Sequence, residues 1–433
     1  MTFTGWNLIL QTAFNAFYYL FFESSIYFPF YINVFQHFII FIVFSKHIVL
    51  QLKSSYFYII FYIYKMSILQ NKPILIMIIS LSLSMVCSRS NGSEKQTIAN
   101  FVFGDSLVDV GNNNYIVSLS KANYVPNGID FGRPTGRYTN GRTIVDIIGQ
   151  QLGLGDYSPP YLAPSTRGSM ILQGVNYASG GGGILNQTGS LFVGRLNLDA
   201  QLDNFANTKQ DIIYSIGEAA TQKLLSNALF SVAMGSNDFI NNYLTPLFSK
   251  LEQQMVSPQA FIDAMISKYR LQLTRLYNMG ARRIVVVNVG PIGCIPYERD
   301  LNPTAGNDCV AFPNQLAQLF NLQLKSLVTE LSNNLEGSKF VYGDAYHIVN
   351  DILVNYQSYG FENANYACCY ASGRFGGLIP CGPTSKVCND RSKYVFWDPY
   401  HPSDAANVAI AKRLIDGDVN DISPINIRQL LKS

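Results

Sequence analysis

From Thr97 onward the chain repeats one pattern, a short apolar run followed by a longer amphipathic segment, and few architectures accept it. Short apolar runs bounded by Gly, Ser and Asn read as strands buried on both faces, and the amphipathic segments between them read as the helices that cover those faces. The result is an α/β domain built on a parallel sheet. Five runs are expected as strands: 99–103, 174–178, 228–234, 283–289 and 340–342. Helices are expected over 143–152, 212–226, 258–279 and 312–331, where apolar residues recur every three or four positions. The third helix carries its own stops, with Ser257 as cap, Pro258 in the first turn and Gly280 at the end. No repeat or low-complexity linker interrupts this pattern, so a single domain is expected over residues 92–433.

In such sheets, chemistry gathers beyond the carboxyl ends of the strands. Ser106 follows the first run in Phe101-Val102-Phe103-Gly104-Asp105-Ser106, Gly180 to Gly183 follow the second, and Gly235-Ser236-Asn237-Asp238 follow the third. A serine hydroxyl is a weak nucleophile until a base takes its proton, and the base works best when a carboxylate fixes its tautomer. The chain has four histidines, and His37 and His47 fall in an N-terminal stretch unlike the rest. His347 and His401 remain, each with an aspartate three residues ahead, Asp344 and Asp398, so spacing does not separate them. Trp397, Pro399 and Pro402 stiffen the second pair. The plain readings are a serine capping a helix and a histidine in a surface loop.

Acyl transfer also needs donors for the developing oxyanion, and Asn237 and the glycine run offer them. A phosphate-binding loop is the rival for those glycines, but neither Gly-Lys-Ser/Thr nor a Gly-x-Gly-x-x-Gly opening a helix is present. The Gly-x-Ser-x-Gly elbow and the His-Glu-x-x-His zinc motif are missing too. Glycoside hydrolysis by paired carboxylates is not legible, because their separation is spatial.

Residues 1–88 are set apart by dense Phe, Tyr and Ile, with Glu23 as their only acid and four lysines as their only bases beside histidine. The formal charge of +3 belongs to this leader, and the body is balanced, which argues against a nucleic-acid partner. Residues 24–45 are apolar enough to be read as a membrane anchor. A more orderly signal starts at Met66: Lys72, an apolar core from Pro73 to Val86, then Cys87 and Ser88, which is the layout of a secretory signal peptide. Residues 66–88 are therefore expected to be the signal, with residues 1–65 a non-native upstream extension or a rarely used apolar leader, and no stable membrane insertion of the mature chain. Six cysteines then remain, Cys294, Cys309, Cys368, Cys369, Cys381 and Cys388, an even set that fits three disulfides in an oxidising compartment. Their spacing matches no common zinc site. Asn91-Gly-Ser and Asn186-Gln-Thr are glycosylation sequons.

Taken in order, Gly104-Asp105-Ser106, the block from Gly174 to Gly181, Gly235-Ser236-Asn237-Asp238 and Asp398-Pro399-Tyr400-His401 resemble the four blocks of the plant GDSL esterase/lipases, within the SGNH hydrolases. The segments 133–142 and 289–294 are similar to that group as well. The resemblance spans residues 98–412 and implies a flavodoxin-like three-layer α/β/α sandwich around a five-stranded parallel sheet, secretion to the extracellular space or cell wall, and cofactor-free hydrolysis of acyl esters, small or lipid. It implies Ser106 as nucleophile, His401 as base and Asp398 as its orienting carboxylate. Ser106, Asn237 and a glycine of the second block, Gly181 in preference to Gly180, would form the oxyanion hole, and no metal is called for. Acyl transfer that polymerises cutin-like hydroxy-acyl esters, or a silent wall-binding protein that keeps the fold, are the alternatives. Substrate and oligomeric state are not legible.

Overall fold

The computed structural model describes residues 98–154, 157–245 and 255–433. The leader, the signal segment, the candidate anchor and the Asn91 sequon all lie outside the described residues.

The sheet forms where the apolar runs predict it. Strands β1 (Asn100–Gly104), β2 (Leu229–Ala233), β3 (Arg283–Val287) and β4 (Lys339–Gly343) lie side by side in that order, and each neighbouring pair is parallel. Five helices fall on the four predicted amphipathic segments: α1 (Ile144–Leu152), α4 (Pro258–Asn278), α5 (Ala311–Asn334) and the pair α2 (Leu198–Ile216) and α3 (Glu218–Asn227). The single helix expected over 212–226 is two, because Gly217 breaks it at φ +83°. Ser257 caps α4 as expected, its hydroxyl accepting from the Ala260 N–H. Helices α6 (Ala345–Val354), α7 (Asp404–Asp416) and α8 (Ile427–Lys432) complete the set used below.

The sheet differs from five parallel strands in two places. Residues 174–178 do not form a regular strand: Asn176 bridges Val102 on one side and Pro160 on the other, and Val102 exchanges two backbone hydrogen bonds with Val175 and Tyr177. Gly174 holds φ +109° against the backbone of Asn100, and the Asn176 side chain accepts the Ala178 N–H, so pairing stops after one bridge. The fifth strand is instead β5 (Ile422–Ser423), antiparallel to β4 at the far edge.

Side chains alternate across the pleat and sort the two faces. Phe101, Phe103 and Phe230 meet Phe205 of α2 on one face, with ring centroids 5.4 to 5.7 Å from Phe205. On the other face, Val102 packs with Val145 of α1. Helices thus cover both faces, and the strands' C-terminal ends are left for loops. Among the described residues no helix is long and apolar enough to cross a membrane.

All six body cysteines are paired, as Cys294–Cys309, Cys368–Cys388 and Cys369–Cys381. The last two pack around the fully buried Trp397 in a small second core. Paired in this way, the sulfurs are not available as zinc ligands.

Candidate active site

Ser106 lies in the turn that leaves β1, and the chain needs 295 further residues to bring His401 to it. The His401 loop is built from within. The Trp397 N–H donates to the His401 carbonyl, and Asp398 Oδ1 accepts from the Tyr400 and His401 N–H groups, both at 2.8 Å. Trp397 itself is fixed by its indole N–H on Asn127 Oδ1 at 2.9 Å. From outside, Thr139 Oγ1 donates to the Pro402 carbonyl and Asn140 Oδ1 accepts the Asp404 N–H. Arg137 anchors that clamp through a buried bidentate pair with Asp146, which also forms the capping box of α1 with Thr143.

His401 Nδ1 lies 2.8 Å from both oxygens of Asp398, and Nε2 lies 2.8 Å from Ser106 Oγ. A carboxylate that accepts from Nδ1–H leaves Nε2 as the acceptor for the serine proton. His347 is in a different setting. Its N–H is capped by Asp344, its ring is half exposed, and its Nε2 is 3.8 Å from Asp421.

The glycine run divides sharply by hydrogen bonding. Gly180 N–H donates to Asp109, Gly182 N–H to the Ser179 carbonyl and Gly183 N–H to Asn197. Among the described residues Gly181 N–H has no acceptor, and neither has Ser106 N–H. One free donor in the run, rather than four, is too few for a phosphate nest. Gly181 adopts φ +83°, and a Cβ there would meet the Phe192 ring at 2.5 Å. Asn237 Nδ2 donates to the Gly182 carbonyl at 2.9 Å and its Oδ1 accepts from Asn241. Since the amide carries two N–H groups, one is still free. Ser106, Gly181, Asn237, Asp398 and His401 all line one cavity of about 260 Å³.

Three buried aspartates, which the sequence did not single out for a role, hold these loops. Asp109 accepts from the N–H groups of Gly111, Asn112 and Gly180, and so joins the turn after β1 to the glycine run. Asp238 accepts from Ile184, Leu185 and Thr188, and so joins that run to the Asn237 turn. Asp105 accepts the Leu107 N–H beneath Ser106. All three fall inside the motif blocks, and their full burial beside loop N–H groups was the signal that periodicity could not carry.

Burial, opposed by the Leu107 N–H, pushes the Asp105 carboxyl up to about 7. Burial likewise pushes Asp109 and Asp238 to about 6 and Glu298 to about 7. The folded state therefore holds protons that the unfolded chain releases near pH 3.8, the ordinary aspartate value. Stability present below that value is lost as pH rises toward about 7. Thermal melts across this window should show a falling midpoint, and Asp105→Asn should flatten the slope; a midpoint that rises over the window would contradict the account.

Among the described residues no group of three His, Cys, Asp or Glu side chains is placed to hold a metal ion. Residues 101–414 match the GDSL-like Lipase/Acylhydrolase family. Two Arabidopsis thaliana proteins, each called a GDSL esterase/lipase, are similar to this chain at 67% identity, covering 78% of this chain and 91% of the relative, and at 52% identity, covering 77% and 87%. A third of the same name and organism is 52% identical over 79% of this chain and 93% of its own length.

Proposed function

Because the chain belongs to the GDSL-like lipase/acylhydrolase family and is a carboxylic ester hydrolase, we propose that it cleaves acyl esters through a covalent acyl-enzyme on Ser106. The observation that carries this reading is the unbroken relay from Asp398 through both nitrogens of His401 to Ser106 Oγ, each step 2.8 Å. As Oγ bonds to the ester carbonyl carbon, His401 Nε2 takes its proton and the carbonyl π electrons move to oxygen. The oxyanion is held by the N–H groups of Ser106 and Gly181 and by the Asn237 amide. Gly181 is favoured over Gly180 because the Gly180 N–H already serves Asp109. Collapse of the intermediate breaks the ester C–O bond, and the leaving alcohol takes the proton from His401. Water, deprotonated by the same nitrogen, then attacks the acyl-serine, releasing the acid and restoring the hydroxyl.

The domain is read as a flavodoxin-like three-layer α/β/α sandwich of the SGNH type over residues 92–433, supported by a compact unit from Gln96 to Ser433. Residues 66–88 are read as a signal peptide and the mature enzyme as extracellular or wall-bound. Three disulfides support an oxidising destination. Terminal sequencing of the exported chain tests this: a start near Arg89 supports it, and peptides from residues 1–65 would contradict it.

Turnover of p-nitrophenyl esters with release of free acid is the direct test of hydrolysis; a longer ester as the main product would shift the reading to acyl transfer. Asn237→Ala should lower kcat by about 10² to 10³ with KM little changed, the cost of losing one oxyanion donor. A change confined to KM would remove Asn237 from that role.

A further inference from the structure

Tyr138 touches both the proposed base and the loop of the proposed oxyanion donors. Its ring lies against the His401 imidazole, with centroids 5.2 Å apart and planes tilted by 39°. Its hydroxyl lies at the glycine run, where a Cβ added to Gly180 would come within 2.1 Å of that oxygen. The residue is 8% exposed and lines the cavity that holds Ser106 and His401.

The hydroxyl is engaged on the same loop. It accepts from Asn113 Nδ2 at 3.2 Å and shares a hydrogen bond with Ser120 Oγ at 3.0 Å. Burial pushes its pKa well above the ordinary tyrosine value, so it remains an O–H. Asn113 in turn donates to the Gly180 carbonyl at 2.8 Å and accepts from Ser179 Oγ at 2.6 Å. Next to Gly180 stands the Gly181 N–H, so one aromatic side chain and one amide span the distance from imidazole to oxyanion donor. The backbone of Tyr138 is held by its neighbours, Arg137 on Asp146 and Thr139 on the Pro402 carbonyl.

Phenylalanine would fill the same space beside His401 with no hydroxyl to desolvate. The tyrosine therefore supplies what packing alone does not require, a fixed link between two loops that are far apart in the chain. The proposed reaction depends on such a link, because His401 first takes the proton of Ser106 and then gives it to the leaving alcohol, with Nε2 facing each in turn. A displacement of about 1 Å can cost about 10² in rate. We propose that Tyr138 is a positioning residue: its ring keeps the His401 imidazole aligned for both proton transfers, and its hydroxyl sets that ring in register with the Gly181 N–H. This rests on the acyl-enzyme reading of Ser106 and His401.

The test compares wild type, Tyr138→Phe and Tyr138→Leu on p-nitrophenyl butyrate and ethyl butyrate by kcat/KM, which reports formation of the acyl-enzyme. Nitrophenolate leaves without a proton, whereas ethanol must take one from His401. Dividing the two values within each variant cancels any loss of folded enzyme. Tyr138→Leu removes the ring from His401, and its penalty should be about 10-fold larger on the ethyl ester than on the nitrophenyl ester, because general-acid help is lost there as well. Tyr138→Phe keeps the ring and loses only the link, so the ratio should stay at the wild-type value while both rates fall together by about 10-fold, as one neutral hydrogen bond allows. These rates are taken per active site, counted by titration with a p-nitrophenyl phosphonate that bonds covalently to the reactive serine. A wild-type ratio in Tyr138→Leu overturns the proposal, and so do wild-type rates per titrated site in Tyr138→Phe. Mass spectrometry of the titrated wild type judges the catalytic reading separately: phosphonate on a residue other than Ser106 would count against that reading, whatever the variants do.

Discussion

Ser106→Ala and His401→Ala should each lower kcat/KM on a p-nitrophenyl ester by on the order of 10⁴ to 10⁶, and the double variant should be no worse than either alone. In the proposed mechanism the hydroxyl and the imidazole act as one unit, because Oγ attacks only as its proton leaves for Nε2, 2.8 Å away. Removing either ends that step, and the second removal has nothing left to take. Losses that multiplied would mean two independent contributions and would dissolve the unit. His347→Ala is the matching control. Its ring is half exposed, its nearest carboxylate is 3.8 Å off, and it does not line the cavity, so activity should stay nearly unchanged. Inactivation by His347→Ala, with His401→Ala active, would reverse the choice of base. Folding is not at stake in Ser106→Ala, since the side chain is only part-buried and gives up one hydrogen bond.

The four long strands were legible because each is a short apolar run buried on both faces, and such a run carries its own evidence. The two elements at the sheet's margins were not. Residues 174–178 read like the other runs, yet their backbone groups go to Val102, Pro159 and Tyr161, with Asn176 turning its own side chain to the Ala178 N–H. Competition between a side chain and the ladder is invisible to hydrophobic pattern. Strand β5 is two residues ending at Pro424, too short for any period to register. The break at Gly217 was readable in principle, since an isolated glycine in a helical pattern costs about 1 kcal/mol against alanine.

At the site, spacing left His347 and His401 level, because each has an aspartate three residues ahead. Tertiary structure separates them: Asp344 spends its carboxylate capping α6 and accepting from Asn288, whereas Asp398 meets both its own loop N–H groups and the imidazole. Between Gly180 and Gly181 the resemblance gave only a preference, since what sets their N–H groups apart is that Asp109, far back in the chain, has taken that of Gly180. Disulfide pairing was open for the same reason. Adjacent Cys368 and Cys369 diverge to Cys388 and Cys381 because they follow one another on an extended segment, where neighbouring side chains point to opposite sides.

The second large effect belongs to Asp398→Asn, which should cost about 10⁴ in kcat while leaving the melting temperature close to wild type. The carboxylate has two tasks that the substitution separates. As an acceptor for the Tyr400 and His401 N–H groups it shapes the loop, and an asparagine oxygen accepts those bonds equally well. As the partner of Nδ1 it fixes the tautomer, and there asparagine offers an NH₂ donor in place of an oxygen. Nδ1 must then accept, the ring proton moves to Nε2, and the nitrogen facing Ser106 no longer takes a proton. Asp398→Ala removes both tasks and should lower stability as well as activity, since two loop N–H groups lose their acceptor at about 1 to 3 kcal/mol each. Nuclear magnetic resonance of the imidazole nitrogens reports the tautomer directly, with Nδ1–H expected in wild type and Nε2–H in Asp398→Asn. An active Asp398→Asn enzyme carrying the Nε2–H tautomer would mean that His401 is not the base that activates Ser106.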